Sequence, residues 1–428
     1  LAKKKNVVKT PREMTHRQLS HFRKAQRRQR FILFGGISVI VAVILIIMIG
    51  WVNGEYIPLH KTVLQVYDTK LNTAYFIDRL KIAARNQTTS SMSEIATNVI
   101  NQIMQGELEK QGAAKLGIKV NDADVIYLLK NNDIIVNAAS MDAGIAQLLP
   151  EKLKSDYFDA LVPVSDNQVY MNAIMVEDDS VAYIIRGRIM NGDNITSLVD
   201  EYAQGYFSQE YKGDFGFHSA GAFRAMQIPA VPVDYALGPD ATTGTLSPPL
   251  PDDTSYKQLG YWLLKVNDRP SGTSANVTAL LLSNRAEAMV IREQLENGDN
   301  VTELADQYSH YTAAQDKHGE LGVINASDNI SGDFNGYVFD PSTKLGEWSS
   351  PIRDTTYWTQ GGYWVVQVVD RQDNSKVSDD DRKKLINKAY SDWAYDLSLE
   401  ATADIGNYLT DELQKWAIDR ATKQLQTG

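Results

Sequence analysis

The chain of 428 residues carries one segment twice. NGDNITSLVDEY, Asn191 to Tyr202, and NGDNVTELADQY, Asn297 to Tyr308, agree at eight of twelve positions and lie 106 residues apart. The agreement reaches well beyond this segment, because Ala173–Phe217 aligns with Ala279–Val323 at the same offset without a gap. A spacing of about 100 residues is the size of a small domain. The constraint is therefore a fold built twice, in tandem.

Each copy reads in the same order. An apolar run, AIMV or ALLL, suits a short strand, and a helix follows over Val181–Met190 or Glu287–Glu296. The NGDN turn then starts a second helix, with Asp193/Asn194 or Asp299/Asn300 as N-caps, since a short polar side chain can accept the free backbone N–H groups there. KGDFG at 212–216 and HGELG at 318–322 are tight turns. A later part aligns at an offset of 102: Gly244-Thr245-Leu246-Ser247 with Gly346-Glu347-Trp348-Ser349, and GYWLLKVNDR at 260–269 with GYWVVQVVDR at 362–371. The last pair is alternating strand material. Ile228–Pro251 holds six of the thirteen prolines and predicts an irregular, extended surface segment.

Charge divides the chain elsewhere. Residues 1–30 hold eleven Lys/Arg and one acid, Glu13, a net of +10, which leaves −20 for the rest of a chain whose total is −10. From Phe31 to Asn53 no residue is charged. About 20 apolar residues cross a ~30 Å bilayer core, and this run lacks the polar stripe of a core helix. It also lacks the short apolar region and small terminal residues of a cleaved leader. It predicts a single-pass anchor over 31–52, with the basic arm 1–30 held cytoplasmic, Trp51 and Tyr56 at the outer interface, and everything after about 53 extracytoplasmic. The basic arm abuts the span, so it reads as an orientation signal facing anionic lipid, and the acidic remainder argues against nucleic acid. Cysteine is absent, which excludes disulfides, thiol nucleophiles and cysteine metal sites.

The segment 57–168 reads as helical. Ile95, Val99, Ile103 and Leu108 recur near helical spacing, Gly117 ends that helix, and Asn121 with Asp124 caps the next. The tail 377–426 is helical again. Ser378 and the three aspartates after it suit the positive end of a helix, and Trp393 and Trp416 call for a partner surface.

In combination these motifs resemble the SurA/PpiC group of exported folding factors, whose prolyl isomerase domains are of the parvulin type. The second copy carries the resemblance best: Ala279-Leu280-Leu281-Leu282, Gly298-Asp299-Asn300-Val301, Tyr308-Ser309, Gly319-Glu320-Leu321-Gly322, Gly346-Glu347-Trp348-Ser349-Ser350-Pro351-Ile352 and Gly362-Tyr363-Trp364-Val365-Val366. LGIKVNDADV, Leu116–Val125, resembles the helical N-terminal domain of SurA-like chaperones. The resemblance implies an α+β architecture. A transmembrane helix precedes a helical domain over 57–168, parvulin-like domains follow over 170–270 and 275–373, and the 377–426 segment returns to pack on the N-terminal domain.

Prolyl isomerisation lowers a rotational barrier of ~18–20 kcal/mol and breaks no bond. Active family members place two histidines beneath the prolyl pocket. The matching positions here are Ala173 and Ala279 for the first and Trp262 and Trp364 for the second, with the neighbouring Cys/Asp position near Tyr206 and Thr312. No catalytic residue is therefore assigned. Phe334 aligns with the aromatic that contacts the prolyl ring, and with Phe339, Trp364 and Trp348 it forms the expected peptide-binding set, centred on the second copy. The first copy, with Ala230 opposite Phe334, reads as a structural or surface-docking domain. Trp364 suits filling the space of the missing histidines.

No cofactor or metal is implied. His218, His310 and His318 fall in no ligand pattern, and the sequons at Asn86, Asn194, Asn276, Asn300, Asn325 and Asn329 read as turn chemistry. The expectation is a membrane-tethered chaperone for unfolded or extended exported polypeptides, with weak or no isomerase activity. An active isomerase and a docking subunit of an envelope complex are the alternatives.

Overall fold

The computed structural model describes the backbone of residues 16–85 and 91–427 and the side chains of 33–85 and 91–426. The first half of the basic arm and the Asn86 sequon lie outside the described residues. The strands are β1 Thr62–Val66, β2 Thr69–Asn72, β3 Ser165–Val176, β4 Asp214–Ser219, β5 Leu250–Lys257, β6 Gly260–Ser271, β7 Ser274–Leu282, β8 Glu320–Asn325, β9 Ile352–Asp354, β10 Thr359–Lys376 and β11 Ile405–Asn407. They form three sheets, ordered β11-β1-β2, β4-β3-β10-β5 and β8-β7-β6-β9. The chain divides into two compact units, Leu1–Asp156 with Asp392–Gly428, and Tyr157–Ser391.

In the first unit the apolar run lies in one helix, His16–Trp51, that does not end there. Val52–Tyr56 widens into a π turn, with the Ile57 N–H donating to Val52 O, and Ile57–His60 resumes the α geometry. Pro58 accounts for the widening, because it has no N–H to donate four residues back. The helices of this unit form as read from the sequence, but Thr62–Val66, Thr69–Asn72 and Ile405–Asn407, in stretches expected to be helical, are strands of one sheet. Helices Met92–Lys115 and Asp122–Asn131 are separated by Gly117 at φ +77°, and Asn121 caps the second by accepting from Ala123 N–H. Ile95, Val99, Ile103 and Leu108 are buried in one cluster with Val63, Leu64, Phe76 and Leu80.

The tail completes this core only from Asp392 on; residues 377–391, expected to join it, belong to the second unit. β11 pairs with β1, Leu64 facing Asn407, and the helix Asp411–Thr427 buries Leu413, Ala417 and Ala421 in the same cluster. Trp416 packs on it, half-buried. Trp393 lies where a Cβ on Gly112 would come within 2.8 Å of it, so only glycine admits that approach.

In the second unit the duplicated motif behaves as predicted. Asn194 and Asn300 each accept from the backbone N–H two residues on, Thr196 and Thr302, and start the helices Ile195–Tyr202 and Val301–Tyr308. The tight turns place Lys212, Gly213, His318 and Gly319 at positive φ.

The closing strands depart from the tandem reading. β6, expected to close the copy over 170–270, pairs with β7 of the other copy, Trp262 facing Leu281 and Leu264 facing Ala279. β10, expected to close 275–373, pairs with β3, Trp364 facing Met175 and Val366 facing Ala173. The two copies have exchanged their last strands. One sheet unit is continuous from β6 to β9, and the other is assembled from both sides of it. The physical reason is local. β6 and β7 are joined by a turn of two residues, Gly272 and Thr273, so a hairpin is the shortest closure for both strands. Polar ties follow the exchange. Arg371 on β10 donates to the carbonyls of Ala236, Gly238 and Ala241 at the end of the helix Ala230–Leu237, and Arg269 on β6 donates to Val338 O at the end of Gly332–Val338.

The proline-rich stretch is also more ordered than its composition predicts. Pro229 stands at the N-cap of Ala230–Leu237, where a missing N–H costs nothing, and Pro232, Val233 and Ala236 are buried.

Candidate functional site

Each sheet unit buries one tryptophan from its borrowed strand. Trp364 and Trp262 are both fully buried, and each directs its indole N–H at a carboxylate. Trp364 Nε1 donates to Asp252 Oδ2 at 2.9 Å, and Trp262 Nε1 donates to Asp354 Oδ2 at 2.8 Å. Asp252 also accepts from Thr254 N–H and Oγ1 and from Ser255 N–H and Oγ. Asp354 accepts from Thr356 N–H and Oγ1 and from Ser331 Oγ.

Burial pushes both carboxyls up, yet hydrogen bonds from Ser255, Thr254 and Trp364, and from Ser331, Thr356 and Trp262, together hold each below its ordinary value. The carboxylates stay ionised and their acceptor positions are occupied. Ala173 and Ala279, at the first histidine position of each copy, are fully buried beside these tryptophans in their respective cores. Neither carboxylate gives or takes a proton near neutrality. What an arrangement of this kind can do is hold an apolar group.

The two sites differ in whether there is room. Around Trp262 the space is filled: Phe334, Tyr311 and Tyr357 meet its ring edge-to-face with centroids 5.0, 5.1 and 5.4 Å away. Phe334 is fully buried, and Tyr357 is fastened by donating to Ile330 O. Phe339 packs half-buried on the same cluster, while Trp348 packs on the opposite face of the sheet and lies 5.9 Å from Lys265 Nζ. Phe334, Phe339, Trp364 and Trp348 are thus not brought together: Trp364 belongs to the other sheet, and Phe334 presents no surface to a ligand.

Around Trp364 a cleft of about 300 Å³ is open, lined by Met175, Gly205, Tyr206, Phe207, Pro229, Thr254, Ser255, Tyr256, Trp358 and Trp364. Three substitutions between copies explain the opening. Gly205 stands at the counterpart of Tyr311, where any Cβ would lie 2.8 Å from Met175 Sδ. Ser255 stands at the counterpart of Tyr357. The helices that carry Ala230 and Phe334 begin at 230 and 332, which sets Pro232, not Ala230, opposite Phe334. The cleft therefore lies in the first copy, expected to be structural, and the second copy is the filled one. Tyr206 at the rim is half exposed, as are Tyr256 and Trp358, which occupy equivalent positions at the offset of 102.

The carboxylates escaped the sequence reading, although a signal was present. DDTSYKQLGYW, 252–262, and DTTYWTQGGYW, 354–364, share six of eleven positions, including the Asp and the Trp. Read as one motif, the doubled Asp–Trp spacing marks both sites. Among the described residues no cluster of three His, Asp or Glu side chains is placed to hold a metal ion.

Residues 260–372 match the PPIC-type PPIASE domain. That span opens on β6 and closes in β10. Among curated proteins, foldase protein PrsA 1 of Bacillus cereus is 29% identical over 31% of this chain and 43% of its own length. Chaperone SurA of Methylobacillus flagellatus is 28% identical over 40% of this chain and 41% of its own. The matched region thus spans less than half of either relative. The crystal structure of the peptidylprolyl isomerase PrsA from Bacillus cereus aligns over 86% of this chain and 92% of that one at 10% identity, with a TM-score of 0.25, too low to speak for a shared arrangement. The matched domain, the relatives and the doubled motif order agree: the chain carries a PPIC-type PPIASE domain over 260–372 and is similar to the PrsA and SurA folding factors.

Proposed function

We propose that the chain is a membrane-anchored extracytoplasmic folding chaperone. It takes extended segments of unfolded exported polypeptides into the cleft beside the buried Trp364, against the exposed rings of Tyr206, Tyr256 and Trp358, and has little or no prolyl isomerase turnover of its own. The observation that supports this is the asymmetry between the sites, one open and aromatic-lined, the other plugged by Tyr311 and Tyr357. An aromatic cleft with a few hydroxyls suits a prolyl or aromatic ring on an extended chain. Stabilising a twisted prolyl amide needs groups aimed at the amide, and the indole N–H and the carboxylate here are turned to each other.

In this reading residues 31–52 span the bilayer with the basic arm inside, 57–156 with the tail from 392 forms the helical domain, and the first of the two parvulin-like units carries the client site. The full chain in detergent, assayed for suppression of aggregation and for isomerisation of proline tetrapeptides, tests it. Suppression that is lost on Trp358→Ala, with no acceleration of isomerisation, is the expected result. Clear isomerase turnover overturns the reading in favour of an active enzyme. Neither activity, together with stoichiometric co-purification of one fixed envelope protein, overturns it in favour of a docking subunit.

A further inference from the structure

The join between the apolar helix and the first unit has no loop. Trp51, Tyr56 and Ile57 all keep right-handed helical backbone angles, so the helix runs unbroken from His16 to His60. Leu59 packs on the core of the unit, and Thr73 N–H and Oγ1 both donate to Lys61 O. A flexible tether would let the unit stand off from the membrane, and this chain has none at that point.

Glu55 is the first charged residue after the uncharged run that ends at Asn53. The C-terminal helix Asp411–Thr427 reaches it: Arg420 Nη1 donates to Glu55 Oε1 at 2.9 Å, and Nη2 lies 2.9 Å from Oε2. Two residues of helix rise are about 3 Å, while the headgroup layer on each side is roughly 5–8 Å deep. A helix is about 10 Å across, so one that grips Glu55 from the side cannot clear that layer. Trp51, Tyr56 and Ile57 are about half exposed around the same level, and the Tyr56 and His60 rings lie 4.2 Å apart. Amphipathic aromatic rings favour the interface.

We propose that the C-terminal helix seats on the headgroup layer of the bilayer, clamped there by Arg420 on Glu55, so that the helical unit rides at a fixed height instead of on a tether. The partner surface is lipid headgroup, and the ion pair removes a carboxylate charge that anionic lipid would repel. This rests on the reading of 31–52 as a bilayer span.

The chain has no cysteine, so Asp419→Cys places a single fluorophore beside the clamp. The labelled full chain is reconstituted in phosphatidylcholine/phosphatidylglycerol vesicles that contain a headgroup-nitroxide lipid. The expected result is flotation with the vesicles and quenching of the label. That quenching is lost when a flexible Gly-Ser insert follows Gly54, and it is lowered by Arg420→Gln, which leaves the helical join intact. Flotation with an unquenched label, or with equal quenching in the insert variant, overturns the seat and leaves the anchor standing. Failure to float overturns the anchor and this inference with it.

Discussion

Lys257 gives the sharpest test of the exchanged strands. It ends β5, just before the chain crosses to the other sheet, and it is fully buried. Its Nζ donates to Ser283 Oγ at 2.8 Å and to Gly361 O, which lie beyond β7 and within β10. Burial pushes its ammonium down to about 8, against opposing pulls from Glu287, Glu177 and Asp178. His310, nearby, is also lowered, first by burial and then by the Lys257 charge.

A lysine that falls from 10.5 to about 8 on folding costs the folded state about 3 kcal/mol at pH 7, taking 1.36 kcal/mol per unit. The cost is in full force below pH 8, because there the folded state must carry a charge it disfavours. It falls away as pH rises from 8 towards 10.5, where the unfolded lysine also loses its proton. Lys257→Met removes this cost and also removes two hydrogen bonds worth roughly 1 kcal/mol each. The variant is therefore expected to be about 1 kcal/mol more stable than the parent at pH 7. The difference should shift by about 2.5 kcal/mol in the parent's favour by pH 10. Guanidinium unfolding of both proteins, followed by tryptophan fluorescence at each pH, measures it, and titrations common to the two cancel. A difference that does not change with pH refutes a charged, desolvated lysine at the crossing.

Three further outcomes follow from the same geometry. A fragment of residues 259–357 contains β6 to β9 and is expected to unfold cooperatively in calorimetry, whereas a fragment of 170–270 lacks β10, the central strand that joins β3 to β5, and is not. Ser255→Tyr should close the cleft over Trp364 and abolish binding of a proline-rich or aromatic peptide, and Tyr357→Ser should open the second site; fluorescence anisotropy with a labelled peptide reads both. Asn194→Ala and Asn300→Ala each remove an N-cap acceptor and should cost about 1 kcal/mol in denaturant unfolding.

What the sequence determined by itself was whatever depends on neighbours along the chain. The caps at Asn121, Asn194 and Asn300, the turn at Gly117 and the apolar helix all follow from short-range backbone and side-chain chemistry, and periodicity alone gave the buried stripe Ile95–Val99–Ile103. The absence of histidine at Ala173, Ala279, Trp262 and Trp364 was equally legible, because it is a matter of residue type. Only the tertiary structure decided which strand closes which sheet. β6 and β10 are near copies with the same apolar alternation, so either fits beside β3 or β7 by pattern, and a tight hairpin broke the tie. That choice moved Trp364 away from Phe334 and set it over Asp252. The open site followed from packing as well. A cleft exists where Gly205 and Ser255 leave space that Tyr311 and Tyr357 fill in the other copy, and volume of that kind is a property of side chains brought together from distant parts of the chain.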